Sequence, residues 1–231
     1  RVFTVAHCCA LEPQTDCKGQ WIVCTPDTVA KFSATAYFFA RELYQQLDVP
    51  VGILHSSWGG TGIQLWTSLD AMRRTPELRA FVDEYCAKTA ARPEGTVKKE
   101  ETIPSSLYCG MIAPIIPYAI RGAIWYQGEN NAKTAESATL YATQLPVLIK
   151  EWRSRWGQGA FPFAWVQLPN YTKRADNWPV MRESMLRCLS VRNTGMAITM
   201  DVGDPKNIHP KNKQDVGKRL GFWALGDVYG R

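Results

Sequence analysis

Apolar residues recur at steps of three and four along several stretches of the chain, which is the spacing of an amphipathic helix. In residues 33–47 the pattern follows Ser33, which stands where a helix N-cap belongs. Residues 135–156 form the longest such stretch, and Pro146 is expected to kink the helix that they predict. Its apolar face consists of Tyr141, Leu145, Leu148, Trp152 and Trp156. Weaker patterns predict helices over residues 73–91, 180–191 and 211–229.

Short apolar runs separate these helices. They cover residues 51–54, 119–126, 161–168 and 196–202, and each has the length of a strand. Strands that alternate with helices predict a parallel sheet with helices on both faces. We expect one α/β domain over residues 1–231, with an exposed loop at 92–106, where proline, glycine, lysine, glutamate and serine dominate.

The composition is that of an ordinary globular protein, with 45% hydrophobic and 21% charged residues in a chain of 231. Basic residues exceed acidic ones by 27 − 21 = 6, but they are scattered, so nucleic acid is not an expected partner. No apolar run approaches the ~18 residues of a membrane-spanning helix, so no membrane is expected either. The first residues lack an initiator Met and a signal peptide, so we interpret the chain as a fragment or a processed product.

Seven cysteines are an odd number in a chain too long for a small disulfide scaffold. Cys8, Cys9, Cys17 and Cys24 lie near the amino end, where a bridge between Cys17 and Cys24 would close a short loop. Their spacing is not the paired C-x-x-C pattern of a zinc site. We favour the interpretation that these cysteines are buried thiols over both a disulfide bridge and a metal site.

Three polar segments follow the predicted strands. Block 1 is residues 56–61, Ser-Ser-Trp-Gly-Gly-Thr; block 2 is residues 125–131, Trp-Tyr-Gln-Gly-Glu-Asn-Asn; block 3 is residues 204–210, Asp-Pro-Lys-Asn-Ile-His-Pro. Because the carboxyl ends of parallel strands open on one crevice, we expect the three blocks to meet there. Together they hold most of the groups of an acyl-transfer site, but no obvious nucleophile.

Block 1 offers backbone donors. Gly59 or Gly60 can expose an N–H group to a developing oxyanion, a contribution of ~3 kcal/mol per donor. The alternative is that the two glycines only permit a tight turn. Neither Ser56 nor Ser57 lies in the G-x-S-x-G elbow that exposes a nucleophilic serine, so we assign the nucleophile to neither.

Block 2 offers side-chain amides and a carboxylate. The amide of Gln127 or Asn131 is a candidate donor to the oxyanion, and Glu129 is a candidate for orienting a histidine. The alternative is a buried hydrogen-bond network, including Asn130, that ties loops together.

Block 3 offers the general base. His209 opens the last predicted helix, and the dipole at that end lowers the pKa of a histidine, which favours the neutral imidazole that a base needs. The alternative is a surface cap. Asp201 and Asp204 both lie close enough in sequence to orient His209. His7, among cysteines, and His55, expected to support the turn from behind, are poorer candidates for the base.

The blocks, together with three further segments, resemble the sialate O-acetylesterase family of SGNH-type hydrolases over almost the whole chain. The further segments are Phe32-Ser33-Ala34 with Tyr37-Phe38-Phe39, Gly110-Met111-Ile112-Ala113-Pro114, and Ile208-His209-Pro210-Lys211-Asn212-Lys213. The resemblance implies a three-layer α/β/α sandwich with a mainly parallel sheet. It also implies a serine esterase that removes acetyl groups from sugars without a metal or other cofactor.

The resemblance assigns roles to particular residues. It implies that Gly59 or Gly60 donates to the oxyanion, that Asn131 takes the asparagine position of a Gln-Gly-Glu-Ser-Asn motif, and that His209 is the catalytic base. Related hydrolases often carry an aspartate three residues before the histidine, but that residue is Lys206 here. The resemblance therefore leaves Asp204 or Glu129 to orient the imidazole.

A second departure concerns the nucleophile. Family members carry it in a Gly-Gln-Ser-Asn motif on the first strand, and this motif does not occur in the chain. Three explanations stay open: a missing N-terminal segment that includes the first strand, a companion chain, or a copy that does not catalyse.

We therefore expect a carbohydrate O-acetylesterase whose serine lies outside this chain and whose partner is an acetylated sugar. Trp58, Trp66, Trp125 and Tyr126 are candidate sugar platforms, with core packing as the alternative. The competing function is a non-catalytic carbohydrate-binding or structural module. A thioesterase or lipase-like enzyme would need a greasy acyl pocket, which the polar, tryptophan-rich blocks do not favour. We expect a secreted, periplasmic or lysosomal location ahead of the cytoplasm.

Overall fold

Helices and strands alternate from Ile53 onward, as the hydrophobic pattern predicts. The structure is a computed structural model, and it describes residues 1–90, 103–174 and 176–231. The strands are β1 (Val2–Thr4), β2 (Trp21–Ile22), β3 (Ile53–His55), β4 (Ala123–Trp125), β5 (Phe163–Val166) and β6 (Thr194–Ala197). The α-helices are α1 (Ala34–Leu47), α2 (Leu69–Arg74), α3 (Pro76–Ala90), α4 (Ala135–Trp156), α5 (Asn177–Arg187) and α6 (Lys213–Trp223).

The strands form two half-sheets of three strands each. The first has the order β2-β1-β3, in which β1 is antiparallel to β2 and parallel to β3. The second has the order β4-β5-β6, and all its pairs are parallel. No strand of the described residues lies between β3 and β4. A cavity of about 750 Å³, lined by residues 51–57 and 121–127, separates them, and we call it the interstrand cavity.

Strand β5 has helices on both of its faces. Its residues Phe163 and Trp165 belong to the larger apolar core together with residues of α4 and α5. The alternate residues Ala164 and Val166 pack with α6 on the opposite face. Since side chains alternate between the two faces of a strand, the sheet lies between two helical layers. The predicted three-layer α/β/α sandwich with a mainly parallel sheet is confirmed.

Helix α4 has the boundaries that the sequence predicts because both its ends are capped. The hydroxyl of Thr134 accepts a hydrogen bond from the Ser137 N–H group (3.1 Å), and the Ser137 hydroxyl accepts one from the Thr134 N–H group (3.2 Å). At the other end Gly157 has a φ of 64°, a left-handed conformation that glycine adopts readily. Pro146 lies inside the helix without ending it.

Several predicted helix boundaries differ from those in the structure. The predicted helix over residues 73–91 is two helices, because Thr75 is extended before Pro76, and proline disfavours a helical residue ahead of it. The last helix begins at Lys213 rather than at 211, with Asn212 as its N-cap. The helix predicted over 180–191 begins earlier, at Asn177, and ends at Arg187.

The strands are shorter than the apolar runs that predict them. Strand β6 covers Thr194–Ala197, whereas the pattern predicted residues 196–202. Strand β5 covers Phe163–Val166, whereas the pattern predicted residues 161–168. Apolar and buried residues extend beyond the strands because the loops at their ends are also covered. Leu168 and Thr199, for example, are fully buried.

The prediction of an exposed loop at residues 92–106 is wrong for its last three residues. Residues 91–102 lie outside the described residues, but Pro104, Ser105 and Ser106 are buried. The Ser105 N–H group donates to the Gln64 carbonyl (2.9 Å), and the Ser106 carbonyl accepts from the Ala10 N–H group (3.1 Å). Polar composition alone therefore failed to indicate burial, because backbone hydrogen bonds satisfy this segment in the interior.

No disulfide is formed among the described residues, so the bridge considered between Cys17 and Cys24 is absent. Cys8 and Cys24 are exposed, which contradicts their interpretation as buried thiols. Cys188 is buried beneath α4, and burial raises its pKa to about 12.

We expect the Thr134→Ala variant to lose ~1 kcal/mol of unfolding free energy, because the capping bond at the start of α4 is removed. The matched control is Thr139→Ala in the first turns of the same helix, which replaces an exposed threonine by a better helix former. Urea denaturation of both variants measures the difference. Equal destabilisation by the two substitutions would contradict the capping role.

Candidate active site

The three polar blocks reach one end of the interstrand cavity. Ser57, Trp58 and Thr61 of block 1 line it, as do Tyr126, Gln127 and Glu129 of block 2 and Ile208 and His209 of block 3. Blocks 1 and 2 meet because each follows the carboxyl end of its strand, β3 or β4, and the two loops hydrogen-bond to each other. Gly59, Gly60 and Asn131 lie in the same loops but are not part of the cavity wall.

Block 1 turns through two glycines that leave the backbone open. Gly60 has a φ of 77°, a conformation that residues with a Cβ atom rarely adopt. A Cβ atom placed on Gly59 or on Gly60 would meet no protein atom within 4 Å among the described residues. Both glycines are exposed, so there is room for a ligand against the backbone here.

Block 2 holds block 1 in place through side-chain amides. Asn130 Nδ2 donates to the Gly60 carbonyl (3.0 Å), and Gln127 Nε2 donates to the Thr61 carbonyl (3.1 Å). Because these bonds hold the carbonyl groups of Gly60 and Thr61, they restrain the backbone directly after the two glycines. The third side chain, Asn131, accepts at Oδ1 from the Ile63 N–H group (3.0 Å).

The amides of Gln127 and Asn131 are part of a buried network. Gln127 Nε2 also donates to Asn131 Oδ1 (2.7 Å), and Gln127 Oε1 accepts from the Tyr141 hydroxyl (2.9 Å). Asn131 Nδ2 donates to Gln64 Oε1 (3.2 Å) and Gln144 Oε1 (3.4 Å). Both hydrogens of each amide therefore have protein acceptors, as the network interpretation of block 2 requires. Their assignment to the oxyanion stays a prediction.

Glu129 places a carboxyl group among protein atoms beside the cavity. Burial raises its pKa, because a charged carboxylate loses hydration there. Hydrogen bonds from the Glu129 and Gly128 backbone, together with the positive charges of Lys213 and His209, act in the opposite direction. The carboxyl of Glu129 therefore responds directly to the charge of the predicted base.

His209 is exposed at the cavity and lies in a turn ahead of the last helix. Its N–H group donates to Asn207 Oδ1 (2.9 Å). The prediction that it opens the helix is wrong, because α6 begins at Lys213. The effect of a helix dipole is confined to the first turn, so the dipole argument for His209 loses its basis.

The two aspartates near His209 have other partners. Asp201 forms a bidentate ion pair with Arg219 (2.5 and 2.6 Å), which lowers the pKa of this carboxyl to about 2. Asp204 is exposed, and its Oδ1 accepts from the Lys206 N–H group (2.8 Å). The charge of His209 acts on the carboxyl of Glu129, which is one of the two acids that the resemblance left open.

Lys213 is a residue of this site that the sequence interpretation did not single out. Its Nζ atom lies 4.7 Å from the centre of the Tyr126 ring and 3.5 Å from the Tyr126 hydroxyl. Burial lowers the pKa of Lys213, whereas Glu129 raises it. Burial raises the pKa of the Tyr126 hydroxyl as well, so it stays protonated. Sequence spacing gave no signal for Lys213, because His209 lies outside α6 and the two residues do not share a helix face.

A serine and a histidine are paired at the carboxyl end of β3. Ser57 Oγ and His55 Nε2 are 2.7 Å apart, and burial, followed by the charge of His7, lowers the pKa of His55. His55 Nδ1 is buried and, among the described residues, has no hydrogen-bond partner. The pair therefore lacks the third group that orients a catalytic histidine. Ser56 Oγ donates to the Met111 carbonyl (3.1 Å).

The aromatic residues of the blocks divide into packing and accessible rings. Trp66 and Trp125 are buried and contact each other edge to face, with ring centres 6.2 Å apart. Trp58 is half-buried, lines the cavity and stacks on His7, with ring centres 3.9 Å apart. The packing interpretation therefore describes Trp66 and Trp125, whereas Trp58 remains a candidate sugar platform.

The described residues contain neither a metal-binding cluster nor a membrane-spanning helix. Within residues 1–90, 103–174 and 176–231, histidine, cysteine and acidic side chains form no group of three that could hold a metal ion. No helix in the described part of the chain is both long and apolar enough to cross a bilayer.

Comparisons with known proteins agree with the resemblance. The family model described as "SASA: Carbohydrate esterase, sialic acid-specific acetylesterase" matches residues 18–222. The sialate O-acetylesterase of Rattus norvegicus is 31% identical over 278 residues, covering 100% of this chain and 50% of that protein. The enzyme of that name from Homo sapiens is 31% identical over 218 residues, covering 86% and 39%. The chain thus spans half or less of these relatives.

A solved structure is similar over the same extent. The crystal structure of a carbohydrate acetylesterase from Xanthomonas citri matches with a TM-score of 0.86 and 35% identity, covering 100% of this chain and 49% of that one. A protein from Arabidopsis thaliana matches with a TM-score of 0.53 at 19% identity, which supports the fold alone.

We expect the Lys213→Met variant to raise the pKa of Glu129. Loss of a nearby positive charge destabilises the carboxylate relative to the neutral acid, so Glu129 takes up its proton at a higher pH. Carbon-detected NMR titration of the Glu129 carboxyl measures the change. The matched control is Lys211→Met, an exposed lysine two positions earlier. An unchanged or lower pKa, or an equal shift in the control, would show that Lys213 does not act on Glu129.

Proposed function

The chain belongs to the carbohydrate esterase family of sialic acid-specific acetylesterases, and from this premise we propose that it carries the base, the acid and the oxyanion donors of a carbohydrate O-acetylesterase. The observation that carries the proposal is the meeting of His209 and Glu129 at the cavity end where block 1 turns through its open glycines. A base, an orienting acid and bare amide hydrogens are the groups that ester hydrolysis needs around its nucleophile.

In the first half of the reaction, a serine hydroxyl attacks the acetyl carbonyl. His209 takes the hydroxyl proton as the new C–O bond forms, and the carbonyl oxygen becomes an oxyanion. The N–H group of Gly60, with that of Gly59 beside it, donates to this oxyanion. When the intermediate collapses, the bond to the sugar oxygen breaks. The sugar leaves as an alcohol with the proton that His209 held.

In the second half, water attacks the acetyl-enzyme. His209 takes a proton from the water, and the second tetrahedral intermediate uses the same N–H donors. Collapse breaks the bond to the serine oxygen, which regains its proton from His209, and acetate leaves. Glu129 orients the imidazole and stabilises its charged form, in preference to Asp204, because Glu129 and His209 interact electrostatically.

The nucleophile of this proposal is a serine outside residues 1–231. The geometry of the two serines of block 1 supports this assignment, since Ser56 donates to the Met111 carbonyl and Ser57 pairs with His55. The relatives are long enough to carry such a serine outside the matched region, because this chain covers half or less of their length.

The proposed substrate is an acetylated sugar, as the names of the relatives suggest. Trp58 offers it a half-buried ring at the cavity, and the polar side chains of block 2 surround the ester. A tryptophan ring can stack on the apolar face of a sugar, and nearby amides can hydrogen-bond to its hydroxyl groups. The secreted, periplasmic or lysosomal location expected from the sequence is part of this proposal.

The test is acetate release from O-acetylated sialic acid by the protein expressed from its complete reading frame. We expect His209→Ala to lower kcat ~10²–10⁴-fold, because the base that takes the serine proton is lost. The matched control is Lys206→Ala, which changes an exposed side chain of the same loop.

Two outcomes would contradict the proposal. The first is undiminished hydrolysis by the His209→Ala variant, which would remove His209 from the mechanism. The second is sugar binding by the unmodified protein without any acetate release, which would favour a carbohydrate-binding module.

A further inference from the structure

The ammonium group of Lys213 belongs to the end of the interstrand cavity where the three blocks meet. Lys213, His209 and Glu129 all line the cavity. Lys213 is the first residue of α6, and the Asn212 Oδ1 atom caps this helix by accepting from the Asp215 N–H group (3.1 Å). The cap therefore fixes the backbone position from which the Lys213 side chain extends.

The Lys213 side chain lies against the ring of Tyr126. Its Nζ atom is 4.7 Å from the centre of the ring, within the range of a cation–π interaction. The Tyr126 ring in turn packs against the apolar cluster that contains Val216 and Leu220 of α6. Because block 2 and α6 hold the ring between them, they also restrain the flexible lysine side chain that lies on it.

The positive charge of Lys213 is only partly compensated by the protein. Lys213 takes part in none of the ion pairs among the described residues. In the same part of the chain, the Tyr126 hydroxyl is the one acceptor within hydrogen-bond distance of Nζ, at 3.5 Å. Burial lowers the pKa of Lys213, and the charge of Glu129 offsets only part of this effect. An anionic ligand would stabilise a cation in these surroundings.

Lys213 and the candidate sugar platform lie on opposite sides of the sheet. Tyr126, which carries the ammonium group, packs on the side of α6, whereas Trp58 packs against the larger core on the side of α4 and α5. Trp58, Tyr126 and Lys213 all line the same cavity. A sugar that stacks on Trp58 can therefore reach Lys213 with a substituent across the end of the cavity.

The chemistry of the group indicates which substituent it would bind. A lysine ammonium is a compact point charge with three donors and no acceptor, so a carboxylate suits it better than a neutral hydroxyl or ester. The family to which the chain belongs is described as sialic acid-specific, and a sialic acid is a sugar with a carboxyl group. The roles proposed for His209, Glu129 and the glycines leave this carboxylate without a partner.

We propose that Lys213 determines the specificity of the site by binding the carboxylate of an acetylated sugar acid, which favours sugar acids over neutral acetylated sugars. The proposal rests on the proposed esterase function, since the sugar is its substrate. The contact is the same in the substrate and in the deacetylated product, so it can be measured without the reaction. It also differs from the effect of Lys213 on Glu129, which concerns the catalytic acid and base and is therefore common to every substrate.

The first test measures binding to the protein expressed from its complete reading frame. Ligand titration by NMR compares sialic acid with its methyl ester, which lacks the negative charge. We expect the unmodified protein to bind the acid ~10–100-fold more tightly than the ester, because the ester cannot form the charged hydrogen bond. The preference should disappear in Lys213→Met and persist in Lys213→Arg, which keeps the positive charge. Lys213→Gln supplies a second neutral side chain if the methionine variant does not fold.

The matched control is Lys211→Met, which removes an exposed positive charge two residues earlier. A general attraction between the anion and this basic loop would weaken in both variants and would decrease with added salt, whereas a direct contact is lost in Lys213→Met alone. Equal loss of the preference in the two variants would overturn the proposal. Equal binding of acid and ester by the unmodified protein, or binding of neither, would overturn it as well.

Acetate release separates this proposal from the esterase function. O-acetylated sialic acid and its methyl ester react at the same ester, so an effect of Lys213→Met through Glu129 alters both reactions equally. We expect the ratio of kcat/KM for the acid to that for the methyl ester to fall ~10–100-fold in this variant.

An equal decrease of kcat/KM with both substrates would overturn the carboxylate contact and leave the esterase function standing. Preferential binding of the acid that is lost in Lys213→Met, without acetate release from either substrate, would establish the carboxylate site and overturn the esterase function.

Discussion

The geometry of this molecule depends on hydrogen bonds that cross between two half-sheets whose described strands do not pair with each other. Asn131 accepts from the Ile63 N–H group, Gln127 donates to the Thr61 carbonyl and Asn130 donates to the Gly60 carbonyl. Most of these groups are buried, where an unsatisfied donor or acceptor costs ~1–3 kcal/mol. The loops after β3 and β4 therefore fix each other's positions, and the candidate active site inherits its geometry from that constraint.

The same arrangement brings the groups of the candidate active site together at this end of the sheet. The carboxyl of Glu129 loses hydration, and the positive charges of His209 and Lys213 together with backbone donors offset part of that cost. An acid in such surroundings is sensitive to the charge of the imidazole, as an orienting residue must be. The interstrand cavity is also lined by aromatic residues such as Trp156 and Tyr229, which offer neither a base nor an acid to an ester.

Local rules were sufficient for part of the fold and of the site. The caps Ser33 and Thr134 fix the starts of α1 and α4, and the strand-end rule brought the three blocks together. Other features depend on contacts distant in sequence. The interruption between β3 and β4 depends on strand pairing. The proposed role of Glu129, in preference to Asp204, depends on its proximity to His209 in the fold. Lys213 enters the candidate site through the placement of α6. Burial of Ser105 and Ser106 follows from backbone partners that composition does not reveal.

The most direct test of the cross-sheet constraint is amide hydrogen exchange at Ile63 in the Asn131→Ala variant. Loss of the Oδ1 acceptor leaves this buried N–H group unsatisfied, so its exchange should accelerate about five- to a hundredfold. The neighbouring Asn130→Ala variant removes the bond to Gly60 instead and should leave the Ile63 amide protected. Equal protection of Ile63 in the Asn131→Ala variant and the unmodified protein would contradict the account.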